Sequence, residues 1–274
     1  MALRPAFIWL VAAGIGCSTA TGAAAQFRPG CEIPFRHIAT TGLAIESCPA
    51  EGDGKTDAHK EQNKAKNNLC AKGRPIPLSF SAFKRLQKAV DDKGIQYGSS
   101  NRLPADRKAL EEIISHNGKK IGEGTVVQYV GFVHNPRNSN RSKGESVNCK
   151  RPGAASNDIH IDIVRAKNEP VCRSITVEVI PHMRPEQWEV DKLKMIGNPV
   201  RFTGHLFFDA SHKPCKNDSD TVSPKRASVW EIHPVYAIDV CKSSQISRCS
   251  ATDKNVWIPL DTWVNKDLYD EDDD

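Results

Sequence analysis

The chain has 274 residues, nine cysteines and a formal charge of +5. None of its apolar stretches reaches the roughly 20 residues that a membrane-spanning helix needs, so we expect no helical membrane span. The sequence also lacks the motifs of α/β-hydrolases, of His-Glu-x-x-His zinc proteases and of P-loop nucleotide-binding proteins.

The first residues have the features of a bacterial export signal. Arg4 precedes an apolar run that ends at Gly16, and Ala23–Ala25 supply the small side chains of a cleavage site. We therefore expect a signal peptide at residues 1–25 and a periplasmic or secreted protein. The alternative is a lipid anchor on Cys17, which follows a short run of small and aliphatic residues.

Eight cysteines remain after that cleavage, and an even number in an exported chain favours disulfides. A thiolate zinc site is disfavoured because no two of them are as close as Cys-x-x-Cys. The short loop between Cys241 and Cys249 predicts that these two form a pair. The other pairings stay open among Cys31, Cys48, Cys70, Cys149, Cys172 and Cys215.

The chain after the signal is longer than a small barrel requires. We expect a cysteine-containing, largely helical N-terminal cap at 26–118, a barrel domain at 119–265 and an acidic tail at 266–274. The segment 49–68 has few apolar residues and predicts an exposed loop followed by a polar helix.

Two further helices are predicted in the cap. Ser81 is a candidate N-cap for a helix with apolar residues at helical spacing, and Gly94 ends it. Asp106 is a candidate N-cap for a second helix that ends at Gly118.

Apolar residues at every second position then predict strands. These strands are expected at 125–134, 158–165, 174–180, 200–209 and 229–241. A helix from Pro185 to Gly197 is predicted between the third and fourth strands, and Pro234 predicts a bulge or a break in the fifth. The order β-β-β-α-β-β is that of a five-stranded OB-like barrel, whose ligands bind over strands 2 and 3 between the 1–2 and 4–5 loops.

Two strands carry a histidine and a carboxylate on the same side. His160 with Asp162, and Glu231 with His233, are spaced i and i+2, so each pair points to one face of its strand. Such residues can ligate a divalent metal, which is the cofactor that this pattern indicates. The same alternation fits a solvated face, and the sequence leaves both interpretations open.

The two loops beside this face are basic. Without the signal and the acidic tail the formal charge is about +10. The candidate ligand-binding residues of the loops are Arg137, Arg141, Lys143, Lys150, Arg151, Lys213, Lys225 and Arg226. They favour an anionic polymer or envelope component, although a solvated lysine-rich surface gives the same composition. The case for nucleic acid as the ligand is weaker, because strands 2 and 3 lack aromatic rings on which bases could stack.

Three segments carry a family resemblance: Gly144–Cys149 (GESVNC), Asn157–Ile161 (NDIHI) and Trp230–Val235 (WEIHPV). They resemble exported bacterial proteins that have an OB-fold-like domain and are uncharacterised. The resemblance spans roughly residues 66–263 and implies the barrel but no reaction. Secreted thermonucleases use a similar barrel, but their calcium-binding acidic turn and paired catalytic arginines are not found in this sequence, so that similarity concerns the fold.

The sequence thus leads us to expect an exported binding protein for an anionic polymer or envelope component, such as a nucleic acid or an anionic glycan. The first alternative is a metal-dependent hydrolase, such as a nuclease or phosphodiesterase, in which the two His/carboxylate pairs hold the metal. The second alternative is an envelope module that docks a partner protein through its basic loops.

Overall fold

The structure, a computed structural model, describes residues 48–68, 73–104, 106–185 and 187–267. The expected signal peptide, Cys17, Cys31, Cys70 and the part of the acidic tail after residue 267 lie outside the described residues.

The barrel strands are named β4 to β8 because three short strands precede them. The strands are β1 (Ile76–Pro77), β2 (Ile114–His116), β3 (Lys119–Ile121), β4 (Val126–Asn138), β5 (Ile159–Val164), β6 (Ile175–Val179), β7 (Val200–Phe208), β8 (Trp230–Cys241) and β9 (Trp257–Pro259). The α-helices are α1 (Asp57–Lys66), α2 (Phe80–Asp92), α3 (Val190–Lys194) and α4 (Leu260–Asp267).

Five strands close into a barrel in the order β4-β5-β6-β8-β7, because β4 pairs with both β5 and β7. All of these pairings are antiparallel except that of β6 with β8, in which Val177 lies beside Ile232. This confirms the predicted OB-like order. It also places β6, strand 3 of the barrel, between β5, which is strand 2, and β8.

The pairing of β7 with β8 is irregular at one point. Their register shifts around Gly204, opposite Val235 and next to Pro234. A Cβ atom on Gly204 would lie 2.4 Å from the carbonyl oxygen of Pro234, so only glycine fits this approach. The irregularity lies where Pro234 predicted one.

One face of the strands forms the apolar core with α2. Ile161, Val177 and Ile232 are fully buried, as are Phe83 and Leu86 of the helix. Each such side chain contributes roughly 1.5–3 kcal/mol relative to an exposed position. The core therefore fixes which face of β5, β6 and β8 points away from α2.

The predicted α2 is confirmed with a shifted start. Its N-cap is Ser79 rather than Ser81, and the Ser79 hydroxyl accepts a hydrogen bond from the Ala82 backbone N–H at 3.3 Å. The helix ends before Gly94, which has a φ of +64°.

The predicted helix from Asp106 to Gly118 is wrong. The segment forms a short 3₁₀ turn and then the β2–β3 hairpin. Asn117 and Gly118 have φ values of +48° and +76°, as a two-residue hairpin turn requires. The Asn117-Gly118 pair favours a hairpin turn, and this preference outweighs the helical spacing of the apolar residues before it.

The predicted helix from Pro185 to Gly197 is present only as α3, which has five residues. Before it the chain is irregular, and Trp188 is anchored there by its indole N–H, which donates to Asp261 Oδ1 at 2.9 Å. This tertiary contact lies where the sequence predicted the first turn of the helix.

Three disulfides connect the described residues: Cys48–Cys149, Cys172–Cys215 and the predicted Cys241–Cys249. Cys48–Cys149 joins the cap to the loop between β4 and β5. Cys172–Cys215 ties the loop between β7 and β8 to the start of β6. Both barrel loops beside β5 and β6 are therefore covalently held.

Removing Cys48–Cys149 should destabilise the protein more than removing Cys241–Cys249. The first disulfide closes a loop across a sequence separation of 101 and the second across 8. Chain entropy then gives losses of about 4–5 and about 2–3 kcal/mol for the two paired Cys→Ser variants. Urea unfolding followed by circular dichroism measures both. Equal losses, or a larger loss for the short loop, would contradict this ordering.

Candidate functional site

Ionisable side chains crowd the face of β5, β6 and β8 that points away from α2; we call this group the charge cluster. Its members are Lys66, Glu145, Asp158, His160, Glu178, Asp209, Arg226, Glu231 and His233. Strand pairing places Glu178 at its centre. His160 is the direct partner of Glu178 across β5–β6, and the parallel β6–β8 pairing brings Glu231 and His233 to its other side.

The cluster is buried because α1 and the β4–β5 loop cover it. Asn63 on α1 donates to Ser146 Oγ at 3.2 Å, and Asn67 donates to the Val147 carbonyl at 3.3 Å. Lys66 at the end of α1 extends into the cluster, with its Nζ 3.6 Å from Glu178 Oε2. The polar face is therefore not the solvated surface that simple strand alternation allows.

His160 lies between two carboxylates. Its Nδ1 is 2.9 Å from Glu178 Oε1, and its Nε2 is 3.1 Å from Glu145 Oε1. The side chains of His160 and Glu145 are 10% and 11% exposed, so this part of the cluster reaches the surface.

His233 lies deeper, among three carboxylates, and is 0% exposed. Its Nδ1 is 2.8 Å from Glu178 Oε2 and 3.8 Å from Glu231 Oε2, and its Nε2 is 3.7 Å from Asp158 Oδ2. Despite these distances, neither ring nitrogen forms a hydrogen bond of acceptable geometry within the described part of the chain. Nitrogen and oxygen lone pairs that converge without hydrogen bonds are what metal ligands present.

Two groups of side chains in the cluster have the donor atoms and spacing of a metal site. One consists of Glu145, Asp158 and His160, and the other of Asp158, Glu178 and His233. Within each group the candidate ligand atoms lie within 4.8 Å of one another. Imidazole nitrogen with carboxylate oxygen suits zinc and similar divalent ions.

The other wall of the cluster is an ion-pair network around Arg226. Its guanidinium lies 3.0 Å from Asp209 Oδ2 and contacts Glu231 Oε1 at short range. All three side chains are at most 2% exposed. Burying an ion costs several kcal/mol, and each of these ions depends on its partners to offset that cost.

The carboxylates hold both histidines in the charged form. Burial disfavours a charged His160, but the charge of Glu178 and hydrogen bonds to Glu145 and Glu178 outweigh it and raise its pKa well above the ordinary value. Burial acts in the same sense on His233, and Glu178 again outweighs it and raises the pKa to about 9. In the absence of another cation, protons on these two rings neutralise part of the cluster.

The pKa values of two carboxylates of the cluster are shifted in opposite directions. Burial opposes ionisation of Glu178, but the charges of His160, Lys66 and His233 hold its pKa well below the ordinary value. Burial and the charge of Glu145 raise the pKa of Asp158 to about 6. Glu178 is therefore the fixed anion of the cluster.

A cavity of about 560 Å³ opens above the outer part of the cluster. Both loops of the expected OB-like site line it, since Asn140 and Glu145 belong to the β4–β5 loop and Ser223 and Lys225 to the β7–β8 loop. The complete lining is Asn135, Arg137, Ser139, Asn140, Glu145, His160, Asp162, Val171, His212, Ser223, Pro224 and Lys225. The position over β5 and β6 is the one that the topology predicted.

Of the four predicted metal ligands, the structure places His160 and His233 in the candidate groups. Asp162 instead pairs with Arg137, 2.8 Å from its Nη1. Glu231 is bound by Arg226. The two groups found among the described residues contain neither carboxylate.

Sequence reasoning missed three candidate ligands. Glu178 and Asp158 alternate with apolar residues on their strands, so the two-residue period places both on the polar face with His160, although the predicted set of metal ligands does not include them. Glu145 comes from a loop and has no periodic signal. Only the fold brings it to His160.

The predicted basic residues lie at several separate places in the structure and do not form one site. Arg137 and Lys225 line the cavity, whereas Arg141 lines a separate cavity of about 710 Å³. Arg226 is fully buried in its ion pairs and does not face the cavity, which corrects its assignment as a surface ligand. Lys150 pairs with Asp53 at 3.2 Å. Of the remaining predicted residues, Lys143, Arg151 and Lys213 are exposed and do not line this cavity.

Comparison of the chain with known protein families, with curated proteins and with solved structures finds no match in any of the three. Among the helices formed by the described residues, none combines the length and apolar character that crossing a bilayer demands.

Chelator-treated protein should lose stability as the pH rises from about 6.5 to about 9. The pKa of His233 is about 9 in the folded protein against an ordinary 6.5, so the folded state binds this proton more tightly than the unfolded state. The stabilisation, on the order of 3 kcal/mol, is complete below pH 6.5 and lost above pH 9. His160 acts in the same direction.

Thermal unfolding in EDTA across this pH range measures the effect. A His233→Gln variant should show a weaker pH dependence, and His134→Gln, changed outside the cluster, should match the wild type. An unfolding midpoint that stays level or rises with pH contradicts the assignment.

Replacing Arg226 with Met should destabilise the protein by about 3–5 kcal/mol, because Asp209 and Glu231 would remain buried without their partner. The matched control is Arg173→Met, which removes an ion pair with Asp218 whose side chains are 50% and 42% exposed. There we expect a loss below about 1 kcal/mol. Equal losses in the free energy of unfolding, measured in urea, would show that the buried ion pairs contribute no more to stability than the exposed one.

Proposed function

We propose that the chain is a metal-dependent hydrolase that acts on an anionic ester, of the phosphodiester class, in the cavity over β5 and β6. One observation carries the proposal: the outer members of the buried His/carboxylate cluster, Glu145 and His160, line that cavity. This ranks hydrolysis ahead of the binding-only function that the basic loops favoured.

The charges around the cavity support a metal there. Arg137 and Lys225 give its walls cationic groups, but Glu145 and Asp162 contribute carboxylates to the same lining. Ionised Glu145 would repel an anionic ligand. A divalent ion held by Glu145 and His160 reverses the local sign and makes the same surface attractive to a phosphate oxygen.

The metal would also supply the chemistry. A bound divalent ion polarises a phosphoryl oxygen and lowers the pKa of a bound water to about 7, which provides a nucleophile at neutral pH. The role of the protein is to hold the ion through Glu145, Asp158 and His160, with Glu178 orienting the His160 ring through Nδ1.

Binding without hydrolysis is the second candidate, for an anionic polymer such as a nucleic acid or glycan. It is favoured by the cationic Arg137 and Lys225 in a cavity lined by both loops. In a protein that only binds, the buried histidines would serve only to neutralise the neighbouring carboxylates.

We further propose that the protein functions in the periplasm or outside the cell. The three disulfides support this, because disulfides persist in oxidising compartments.

Hydrolysis of bis(4-nitrophenyl) phosphate by Zn²⁺- or Mn²⁺-loaded protein tests the proposal. We expect metal-dependent turnover that falls at least 100-fold in His160→Ala, because the metal loses a ligand. The control His134→Ala should keep wild-type turnover, and circular dichroism should show that both variants are folded. Lys225→Ala should raise KM with little change in kcat, since Lys225 lies on the cavity wall.

Absence of turnover with either metal, together with salt-dependent binding of single-stranded DNA or polyphosphate, would overturn hydrolysis and establish the binding-only function. Turnover that persists in His160→Ala would place the active site elsewhere.

A further inference from the structure

We propose that the charge cluster holds two divalent cations that share Asp158 as a bridging ligand. This deepens the proposed metal-dependent function and rests on it. The outer ion would bind Glu145, Asp158 and His160, and the inner ion would bind Asp158, Glu178 and His233.

Asp158 has the free coordination capacity that a bridging ligand needs. It belongs to both candidate groups and is 0% exposed. Its Oδ1 accepts one hydrogen bond from Asn148 Nδ2 at 2.9 Å, and its Oδ2 has no hydrogen-bond partner among the described residues. A carboxylate has about four lone-pair sites, so each oxygen can still ligate an ion. Asn148 would fix the orientation of the bridge.

The other ligands also present unpartnered atoms to the cluster. Glu145 Oε2 forms no hydrogen bond within the described chain, and neither does His233 Nε2. Glu178 Oε2 and His233 Nδ1 form none of acceptable geometry, although they lie 2.8 Å apart as an ion pair and Lys66 Nζ lies 3.6 Å from Glu178 Oε2. Buried polar atoms are normally satisfied, so several unsatisfied ones in a single cluster point to a missing ligand. Since these atoms belong to both of the candidate groups that share Asp158, they fit two ions better than one.

The charge balance favours two ions. With the histidines neutral, including His212 beside Asp209, the cluster has five carboxylates, namely Glu145, Asp158, Glu178, Asp209 and Glu231. Lys66 and Arg226 are its permanent cations. One divalent ion would leave a net negative charge in a buried site, which is costly. Two ions with the hydroxide that hydrolysis uses would make the cluster neutral.

The two positions differ in access, and this assigns them different roles. The outer position borders the cavity through Glu145 and His160, whereas Asp158, Glu178 and His233 are at most 1% exposed. Metal sites that keep an open position are catalytic, and closed sites are structural. The outer ion would therefore face the substrate, and the inner ion would hold the bridging carboxylate and neutralise Glu178.

Equilibrium dialysis of the full oxidised protein against Zn²⁺, followed by elemental analysis, tests the inference. We expect two zinc ions per chain in the wild type, one in His160→Ala and one in His233→Ala, because each variant loses a ligand of one position. Asp158→Asn should retain at most one. His134→Ala serves as the control and should retain two.

Circular dichroism and the intact disulfides establish that each variant is folded. Should His233→Ala fail to fold, Glu178→Gln replaces it as the probe of the inner position and should also retain one ion.

One zinc ion in the wild type, lost in His160→Ala, would overturn the two-ion inference and leave the proposed function standing. No stoichiometric zinc in the wild type would overturn both. Two ions that persist in His160→Ala and His233→Ala would show that zinc binds outside the cluster, which also refutes the inference.

Discussion

The structure depends on how the barrel accommodates Glu178. A carboxylate that is 1% exposed must have cations close to it, because burying an unpaired charge costs several kcal/mol. Lys66, His160 and His233 meet this requirement from three different segments of the chain. The end of α1 is thus drawn onto the barrel by the same charge that orients the histidines of β5 and β8.

This constraint gives the polar face pKa shifts that a solvated face would not have. In water, His160 and Glu178 would form an unremarkable pair worth less than about 1 kcal/mol. Buried under α1 and the β4–β5 loop, the same pair shifts the pKa values of both groups and holds lone pairs in fixed positions. Perturbed titration in a cluster beside a cavity is typical of functional sites. Disulfides hold both loops over that cavity.

The barrel was predictable from local sequence, and the site only in part. Period-two alternation located the five strands to within a few residues, since one face of each strand is apolar. It also selected His160 and His233. It could not show that Asp162 and Glu231 are each taken by an arginine, or that Glu145 and Lys66 reach the cluster, because those contacts join segments far apart in sequence.

We propose that His160 and His233 are cation ligands that carry protons only when no metal is bound. Nitrogen NMR spectra of the histidine rings at pH 7 test this directly, first in EDTA and then after addition of Zn²⁺. We expect both rings to be charged imidazolium in EDTA and to become neutral, with zinc-shifted nitrogen resonances, once the metal is present. Rings whose resonances are unchanged by Zn²⁺ would contradict it and leave the two histidines as structural counterions of Glu178.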